Sequence, residues 1–354
     1  MRFTFFIGGV VLGATVLTGC TSESSAPAVS PSVAGTTVRL LTHDSFALSE
    51  DLILAFESDT GIDLEIIPGG DAGSVTAGAI LAAGAPTADV IFGVDSTLVH
   101  RAAQEGVFAE YTSPELDQVI PALRDDTSAG LVTPIDYGDV CLNIDTEWFA
   151  ERSLTPPSTI DQLTDPQYAD LLVVQDPATS SPGLAFLMST VSRYGENWPA
   201  YWEDLRNNGV RVAGSWTDAY YSDFSVSGGE RPIVVSYASS PPAELVFAEP
   251  PVPDAPRSAA LTDGCFRQVE YAGILAGTPN KAGAEVVIDW LLSESVQADI
   301  PLTMFVFPAR EGVALPEVFT AFAGEVTDPE TLPADYLAAN ASQIVETWST
   351  TMGR

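Results

Sequence analysis

The sequence predicts an α/β protein with two lobes and a ligand cleft between them. Short β-branched runs alternate with helical patterns from residue 37 onward, and a second alternation of this kind begins near Val140. The chain has 354 residues, of which 46% are hydrophobic, and this is enough for two cores. Alternating strands and helices are typical of a mostly parallel sheet covered on both faces. We expect the chain to cross between the lobes near residues 135–139 and 262–265, with a small ligand bound between the lobes.

The first lobe is predicted from short apolar strands that are each followed by a helical pattern. Leu52, Ile53 and Phe56 recur at helical spacing behind Ser49, and serine is a preferred residue at helix N-termini. Gly106 is a helix-ending residue after the third pattern. The predicted strands are 38–41, 64–67 and 89–92, and the predicted helices are 48–59, 75–83 and 98–105.

The second lobe repeats this alternation, and the chain then returns to the first lobe. The predicted strands are 171–174, 211–212 and 233–235, and the predicted helices are 183–194 and 199–207. A proline-rich connection at 248–256 precedes a strand at 266–271 and a helix at 282–292. We therefore assign residues 37–136 to the first lobe, 137–262 to the second, and 263–354 to the return into the first lobe with the C-terminal helices.

The N-terminal segment is typical of a secretory signal rather than of a folded domain. Arg2 precedes an apolar run at 3–17, and the small residues Thr18 and Gly19 stand before Cys20. Leu-Thr-Gly-Cys at this place also resembles the bacterial lipobox, whose cysteine becomes lipidated after cleavage. We predict a lipoprotein signal peptide at 1–19, lipidation of Cys20, and a flexible tether rich in Ser, Pro and Ala at 20–36. The mature protein would then be extracytoplasmic and anchored to the cell membrane.

Two further cysteines, Cys141 and Cys265, remain in the mature chain. In an oxidising compartment a lone pair of cysteines favours a disulfide over two free thiols. Two cysteines and two histidines without short spacing do not match a zinc site, so we expect no metal.

The charge balance excludes one class of partner. The formal net charge is −34, and Lys281 is the one lysine of the chain. No basic patch can be assembled, so we expect no nucleic acid partner. Because the acidity is spread over the whole chain, we interpret most of it as a contribution to solubility.

Seven stretches occur in an order that identifies a family. They are THDSFA (42–47), ADVIFGVDSTL (88–98), PIDYGDVCLNID (134–145), VVQDPATSSPGLAFL (173–187), GSWTDAYYSDF (214–224), VVSYASSPPAE (234–244) and IPLTMFVFPAREGVALP (300–316). Together they resemble the substrate-binding proteins of thiamine ABC transporters. The resemblance implies a type II periplasmic-binding-protein fold that closes around its ligand by hinge motion. It further implies thiamine or a thiamine phosphate as ligand, ABC permease and ATPase subunits as partners, no cofactor, and a monomer.

The resemblance also implies which residues contact the ligand. Trp216 would stack on it, with Tyr220 four residues later on the same face. Asp71, in a glycine-rich loop, is similar to an acidic residue that contacts the ligand in the family. Ser180 precedes a predicted helix, where its hydroxyl and the free N–H groups suit an oxygen or phosphate. Tyr237 ends a predicted strand, where α/β sheets usually meet ligands. The alternatives are a core tryptophan at Trp216 and helix caps at Asp71 and Ser180.

The loop at 43–46 follows the first strand and should face the cleft. The family often has tyrosine at the position of His43, and a protonated imidazole would repel a thiazolium ring, so we expect His43 to be neutral near neutral pH. Asp44 would orient His43 or cap a turn. Phe305 stands where the family has tryptophan, and Leu48 and Ala243 also replace aromatic residues. These departures predict a thinner aromatic cage.

Two other classes of function stay open at this stage. A binder of polyamines would use carboxylates, and Asp44, Asp71, Asp95 and Asp136 could gather at the cleft. A binder of ferric iron would use tyrosinates such as the adjacent Tyr220 and Tyr221.

A thiaminase-like enzyme on the same fold would need a thiolate nucleophile. Cys141 is the candidate, but its apolar strand pattern indicates an inert or disulfide-bonded residue. Because His100 falls inside a helical pattern, no Ser–His–Asp arrangement is suggested either, and we expect no enzyme.

Overall fold

The structure is a computed structural model that describes residues 33–124, 128–324 and 326–354. The predicted signal peptide at 1–19, the lipidation site Cys20 and most of the tether at 20–36 lie outside the described residues. Over the described ranges, no helix is both long enough and apolar enough to cross a membrane.

The first lobe alternates strands and helices as its sequence pattern predicts. In chain order it contains β1 (Thr37–Thr42), α1 (Glu50–Thr60), β2 (Asp63–Pro68), α2 (Ala72–Leu81), β3 (Val90–Asp95) and α3 (Val99–Gln104). Strand β1 pairs in parallel with both β2 and β3. The predicted elements of this lobe are therefore confirmed, with their ends shifted slightly.

The second lobe follows the same principle with shorter elements. In chain order it contains β4 (Thr133–Asp145), α4 (Thr146–Glu151), β5 (Leu172–Gln175), α5 (Ser181–Tyr194), α6 (Trp198–Asn207), β6 (Arg211–Ala213), α7 (Trp216–Asp218), β7 (Ile233–Tyr237) and α8 (Ala243–Val246). Strand β5 pairs in parallel with β6 and β7. Helix α7 continues into a π-helical turn at Ala219–Asp223.

The C-terminal part begins with the longest strand of the described residues. In chain order it contains β8 (Ser258–Ile274), α9 (Lys281–Leu291), α10 (Glu294–Thr303), β9 (Phe307–Pro308), α11 (Glu317–Phe322) and α12 (Ala334–Met352). The strand predicted at 266–271 is thus the middle of a strand that starts eight residues earlier, at Ser258.

A single sheet runs through both lobes. Within the described ranges, nine strands lie in the order β2-β1-β3-β8-β4-β7-β5-β6, with β9 paired to β4. The antiparallel pair β4 and β8 contains both predicted crossing points. Strand β8 pairs with β3 at one end, and β4 pairs with β7 at the other. These two strands therefore carry the chain from one lobe to the other.

Each lobe has its own hydrophobic core. Leu40 and Ile91 are fully buried in the first core, and Phe186 and Trp202 are fully buried in the second. The return segment is divided between them, because α9 and α10 complete the first core whereas α12 packs on the second. There Trp348 meets Trp202 edge-on, with ring centroids 5.5 Å apart. The lobe boundaries assigned from the sequence stay predictions.

Cys141 and Cys265 form a disulfide between the two crossing strands. Both residues are buried, and they lie beside the irregular register of β4 and β8 between Val140 and Leu142. The bond ties the crossing strands to each other, and it leaves no free thiol at Cys141.

Candidate ligand-binding site

A cavity of about 340 Å³ lies between the two lobes. The first lobe lines it with the loop after β1, the start of α2 and the segment after α10. The second lobe lines it with the start of α5, with α7 and its π-helical turn, and with side chains in and around α8. The crossing strand β8 contributes Glu270. A cavity between lobes, at the ends of sheet strands, is a usual place for a small ligand.

The structure brings most of the predicted ligand contacts together at this cavity. Its lining includes His43, Asp44, Asp71, Trp216, Tyr220, Tyr237 and Phe305. Ser180 does not line the cavity, and it is fully buried at the N-cap of α5. Its neighbour Ser181, the first residue of that helix, lines the cavity instead. The step of one residue follows from helix geometry, because the residue before a helix and the first helical residue point in different directions.

Aromatic rings of the second lobe form one wall. The Trp216 and Tyr220 rings are stacked, with centroids 4.9 Å apart and planes 19° from parallel. Tyr221 meets Trp216 edge-on at 5.6 Å. The Trp216 Nε1–H group donates a hydrogen bond to Ser236 Oγ at 3.0 Å, which fixes the indole plane. This wall offers a flat, rigid surface to a ring-shaped ligand.

The Tyr220 hydroxyl has no hydrogen-bond partner within the described residues, although it is buried in the cavity wall. An unpaired buried hydroxyl costs roughly 1–3 kcal/mol. Burial also raises the pKa of Tyr220, with smaller contributions from Glu244 and Tyr221, so the phenol keeps its proton. The site therefore provides a free donor for a polar atom of a ligand.

A second group of aromatic side chains lies at the rim of the cavity. Phe305 and Phe247 meet edge-on with centroids 5.4 Å apart, and both line the cavity. Phe305 has a φ angle of 56°, and the left-handed region is unfavourable for a bulky side chain. Phe247, which is 66% exposed, was not predicted from the sequence, and it supplies aromatic area on the side where Ala243 replaces an aromatic residue.

Asp71 joins the two lobes through its carboxylate. It is the N-cap of α2, where Oδ1 accepts a hydrogen bond from the Ala72 N–H group at 2.7 Å. Across the cleft, Oδ1 also accepts from the Ser181 N–H group at 3.3 Å, and Oδ2 accepts from the Trp216 N–H group at 2.8 Å. One carboxylate thus meets the N-termini of α2, α5 and α7, where the helix dipoles favour negative charge. Asp71 is a helix cap and a cleft residue at once.

Further polar contacts hold the lobes in a closed arrangement. The Ser181 hydroxyl donates to Asp95 at the end of β3, and Gln268 donates to the same hydroxyl. The Tyr237 hydroxyl donates to Gln268 Oε1 at 2.9 Å. Burial raises the pKa of Asp95 to about 6, although hydrogen bonds from Ser181 and Thr97 oppose the rise.

Three carboxyl groups form a row across the centre of the sheet. Asp95 on β3 is paired with Glu270 on β8, and Glu270 is paired with Asp136 on β4. Like charges directly opposite one another in a sheet are destabilising. Burial, followed by the charge of Glu270, raises the pKa of Asp136 well above its ordinary value. The shift favours the protonated form of Asp136, and within the described residues neither of its carboxyl oxygens has a hydrogen bond.

His43 lies beside Glu270, the middle member of this row. Its Nε2 atom is 3.8 Å from Glu270 Oε2 and has no hydrogen bond within the described residues, whereas Nδ1 lies 2.9 Å from Ser45 Oγ. Gly93 makes room for the ring, because a Cβ atom there would lie 2.4 Å from the imidazole Cδ2. Burial lowers the pKa of His43, but the carboxylates of Glu270, Asp71 and Asp44 outweigh burial and raise it overall. The sequence alone did not reveal Glu270 beside His43, and the expectation of a neutral ring stays a prediction.

Metal-binding clusters are not apparent here. Across the described ranges, no group of three or more His, Cys, Asp or Glu residues is arranged to hold a metal ion. The neighbouring Tyr220 and Tyr221 rings are 5.4 Å apart, but burial raises the pKa of both phenols and disfavours the tyrosinate form that ferric iron requires.

The comparison with protein families agrees with this architecture. Residues 85–321, about two thirds of the chain, match the family described as bacterial extracellular solute-binding protein. The chain belongs to this family. A solute-binding role outside the cytoplasm follows from this membership.

Individual relatives place the chain within that family. It is 28% identical over 329 residues to the thiamine-binding periplasmic protein of Salmonella typhimurium, covering 92% of this chain and 96% of that protein. It is 24% identical over 345 residues to iron uptake protein A2 of Synechocystis, covering 93% and 92%. A solved periplasmic thiamin binding protein superposes with a TM-score of 0.79 at 25% identity, covering 90% and 96%. The inferred resemblance and the type II periplasmic-binding-protein fold are thereby confirmed.

Proposed function

We propose that this protein captures thiamine between its lobes and delivers it to an ABC permease, from a lipid anchor at Cys20. The observation that carries the proposal is the combination, in one cavity, of the stacked Trp216 and Tyr220 rings with the Glu270 carboxylate. Thiamine is an aminopyrimidine joined to a permanently cationic thiazolium ring. Flat rings bind to aromatic walls, and a cation bound next to a carboxylate and a π face is stabilised.

The charges of the cavity favour unphosphorylated thiamine over its phosphates. The lining contains the carboxylates Asp44, Asp71 and Glu270, and it contains neither lysine nor arginine. A phosphate ester would bring further negative charge to these groups with no arginine or lysine to pair with it. The positive charge of thiamine is complementary to the negative electrostatic potential of these carboxylates.

Several observations weigh against the other classes of function. A polyamine would need several free carboxylates, but both oxygens of Asp71 already accept backbone N–H groups. A ferric ion would need tyrosinates, which burial disfavours at Tyr220 and Tyr221. A thiaminase-like reaction would need a free thiol, and Cys141 is bonded to Cys265. These observations support a binding protein without enzymatic activity.

Isothermal titration calorimetry of the domain from about residue 33 onward tests the proposal. We expect submicromolar binding of thiamine, weaker binding of thiamine monophosphate and diphosphate, and no binding of spermidine. Binding of spermidine without binding of thiamine would instead indicate a polyamine-binding protein. An absorption band in the visible after addition of ferric iron would favour an iron binder.

The anchor is tested separately in cells. We expect the full chain in the membrane fraction and the Cys20→Ala variant in the soluble extracytoplasmic or secreted fraction. Equal membrane retention of both forms would remove lipidation at Cys20 from the proposal.

A further inference from the structure

We propose that Glu270 is the subsite for the positive charge of the ligand, and that the ligand takes this place from a proton on His43. The inference rests on the proposed function for the identity of the ligand. It adds a binding residue that the sequence did not indicate, and it makes binding an exchange of one cation for another.

The first support is the row of carboxyl groups on neighbouring strands. Asp95, Glu270 and Asp136 are paired in register across β3, β8 and β4, and Glu270 alone of the three lines the cavity. Such a row is stable only when protons or cations offset its charge. Burial and the charge of Glu270 raise the pKa of Asp136, which favours its protonated form, and Asp95 accepts hydrogen bonds from Thr97 and Ser181. Glu270, the middle member of the row, is the carboxyl group that faces the cavity.

The second support is the unpaired nitrogen of His43. The side chain is about nine-tenths buried, and within the described residues Nε2 has no hydrogen bond, with Glu270 Oε2 as a charged neighbour 3.8 Å away across the same cavity. A buried ring nitrogen with no hydrogen bond and a carboxylate nearby indicates either an unfilled ligand site or a charged imidazolium. His43 is also the one basic side chain among the residues that line this cavity. In the absence of ligand, imidazolium is therefore the cation that balances Glu270.

Acidic side chains face His43 from several elements. Asp44 follows it in its own loop, Asp71 lies in the loop after β2, and Glu270 lies on β8. Asp95 on β3 and Asp136 on β4 flank Glu270 on the neighbouring strands. The carboxylates of Glu270, Asp71 and Asp44 raise the pKa of His43 above its ordinary value despite burial, which favours the protonated ring.

A thiazolium ring at Glu270 would reverse that balance. The cation would repel imidazolium in a site that excludes water, so the proton on His43 would leave to the solvent buffer. The charge at the subsite stays constant, because one positive charge enters as one departs. No covalent bond other than the N–H bond of His43 changes.

Proton linkage fixes the sign of the pH dependence. Below the pKa of His43 the proton competes with the ligand, and the Kd for thiamine should fall by up to about tenfold for each unit of rising pH. Above that pKa the imidazole is neutral and the dependence flattens. A site in which His43 is only a flat wall would show no such slope.

Calorimetry in buffers of different ionisation enthalpy measures the exchange directly. We expect thiamine binding to release a fraction of a proton, approaching one, at about pH 6.5 and progressively less towards about pH 8.5. The His43→Gln variant should bind thiamine with a proton release near zero and a flat pH profile. Glu270→Gln should bind thiamine at least about tenfold more weakly, since it removes the anionic partner of the cation.

His100→Gln is the matched control, because His100 is the other histidine of the chain and lies buried in α3 outside the cavity. We expect the His100→Gln variant to release as many protons on thiamine binding as the native protein does. Binding of thiamine without proton release, or equal release from His43→Gln, would overturn this inference and leave the proposed function intact. Absence of any thiamine binding to the native protein would refute the proposed function instead.

Discussion

The two lobes contribute different chemistry to one cavity. The first lobe brings ionisable groups, namely His43, Asp44 and Asp71, whereas the second brings the aromatic wall of Trp216 and Tyr220. Neither set is sufficient for an aromatic cation, which requires both stacking and a compensating charge. The complete site therefore forms only when the lobes are closed. The contribution of each lobe to ligand binding can be removed separately by substitution.

The largest effect should come from the aromatic wall. Trp216→Ala removes the stacked ring, and we expect thiamine binding to weaken by about 2–3 kcal/mol. Calorimetry measures the loss, with Trp148→Ala as control, because Trp148 is not among the residues that line the cavity and its ring packs against Arg152. Unchanged binding in Trp216→Ala would make this residue part of the interlobe core.

A smaller effect should follow from blocking closure without touching the ligand. A Cβ atom at Gly73 in α2 would lie 2.6 Å from the Thr179 carbonyl oxygen in the opposite lobe. Gly73→Ala should therefore oppose closure and weaken binding by about 2 kcal/mol, while alanine suits the helix itself. Small-angle scattering should show loss of the ligand-induced compaction.

Gly78 offers a matched control in the same helix. A Cβ atom there meets nothing within 4 Å, so Gly78→Ala should leave binding and compaction unchanged. If both variants behave alike, the contact between α2 and Thr179 does not limit closure.

The carboxylate that joins the lobes should have a moderate effect. In Asp71 the two carboxylate oxygens accept separately from the N–H groups of Ser181 and Trp216. The variant Asp71→Asn replaces one of these oxygens by an NH2 group, which cannot accept a hydrogen bond, so one of the two bonds is lost. We expect binding to weaken by about 1–2 kcal/mol through loss of closure. Asp44→Asn, in the neighbouring loop, serves as the comparison because its exposed side chain makes no contact of this kind. Equal effects of the two variants would assign Asp71 the role of a plain counter-charge.

The rim should matter least. Phe247 is 66% exposed, so Phe247→Ala removes a wall that solvent already reaches. We expect a loss of about 0.5–1 kcal/mol in thiamine binding. A loss as large as that of Trp216→Ala would show that the rim closes over the ligand.

Local patterns were sufficient for the fold and for half of the site. The alternation of strands and helices, the crossing points in β4 and β8, and the aromatic face of Trp216 and Tyr220 depend on neighbours in sequence, which is why the pattern predicts them. Ser180 illustrates the limit of local patterns, because the residue at the start of α5 that lines the cavity is its neighbour Ser181.

The sequence by itself determined the strand and helix order, the family and the residue types that surround the cavity. Only the tertiary structure decided the role of Glu270, the three helix N-termini that share Asp71, and the raised pKa of His43. These properties depend on distances between groups that lie far apart along the chain, such as His43 and Glu270 or Asp71 and Trp216. Electrostatic free energy depends on distance and burial, neither of which is encoded in any short stretch of sequence.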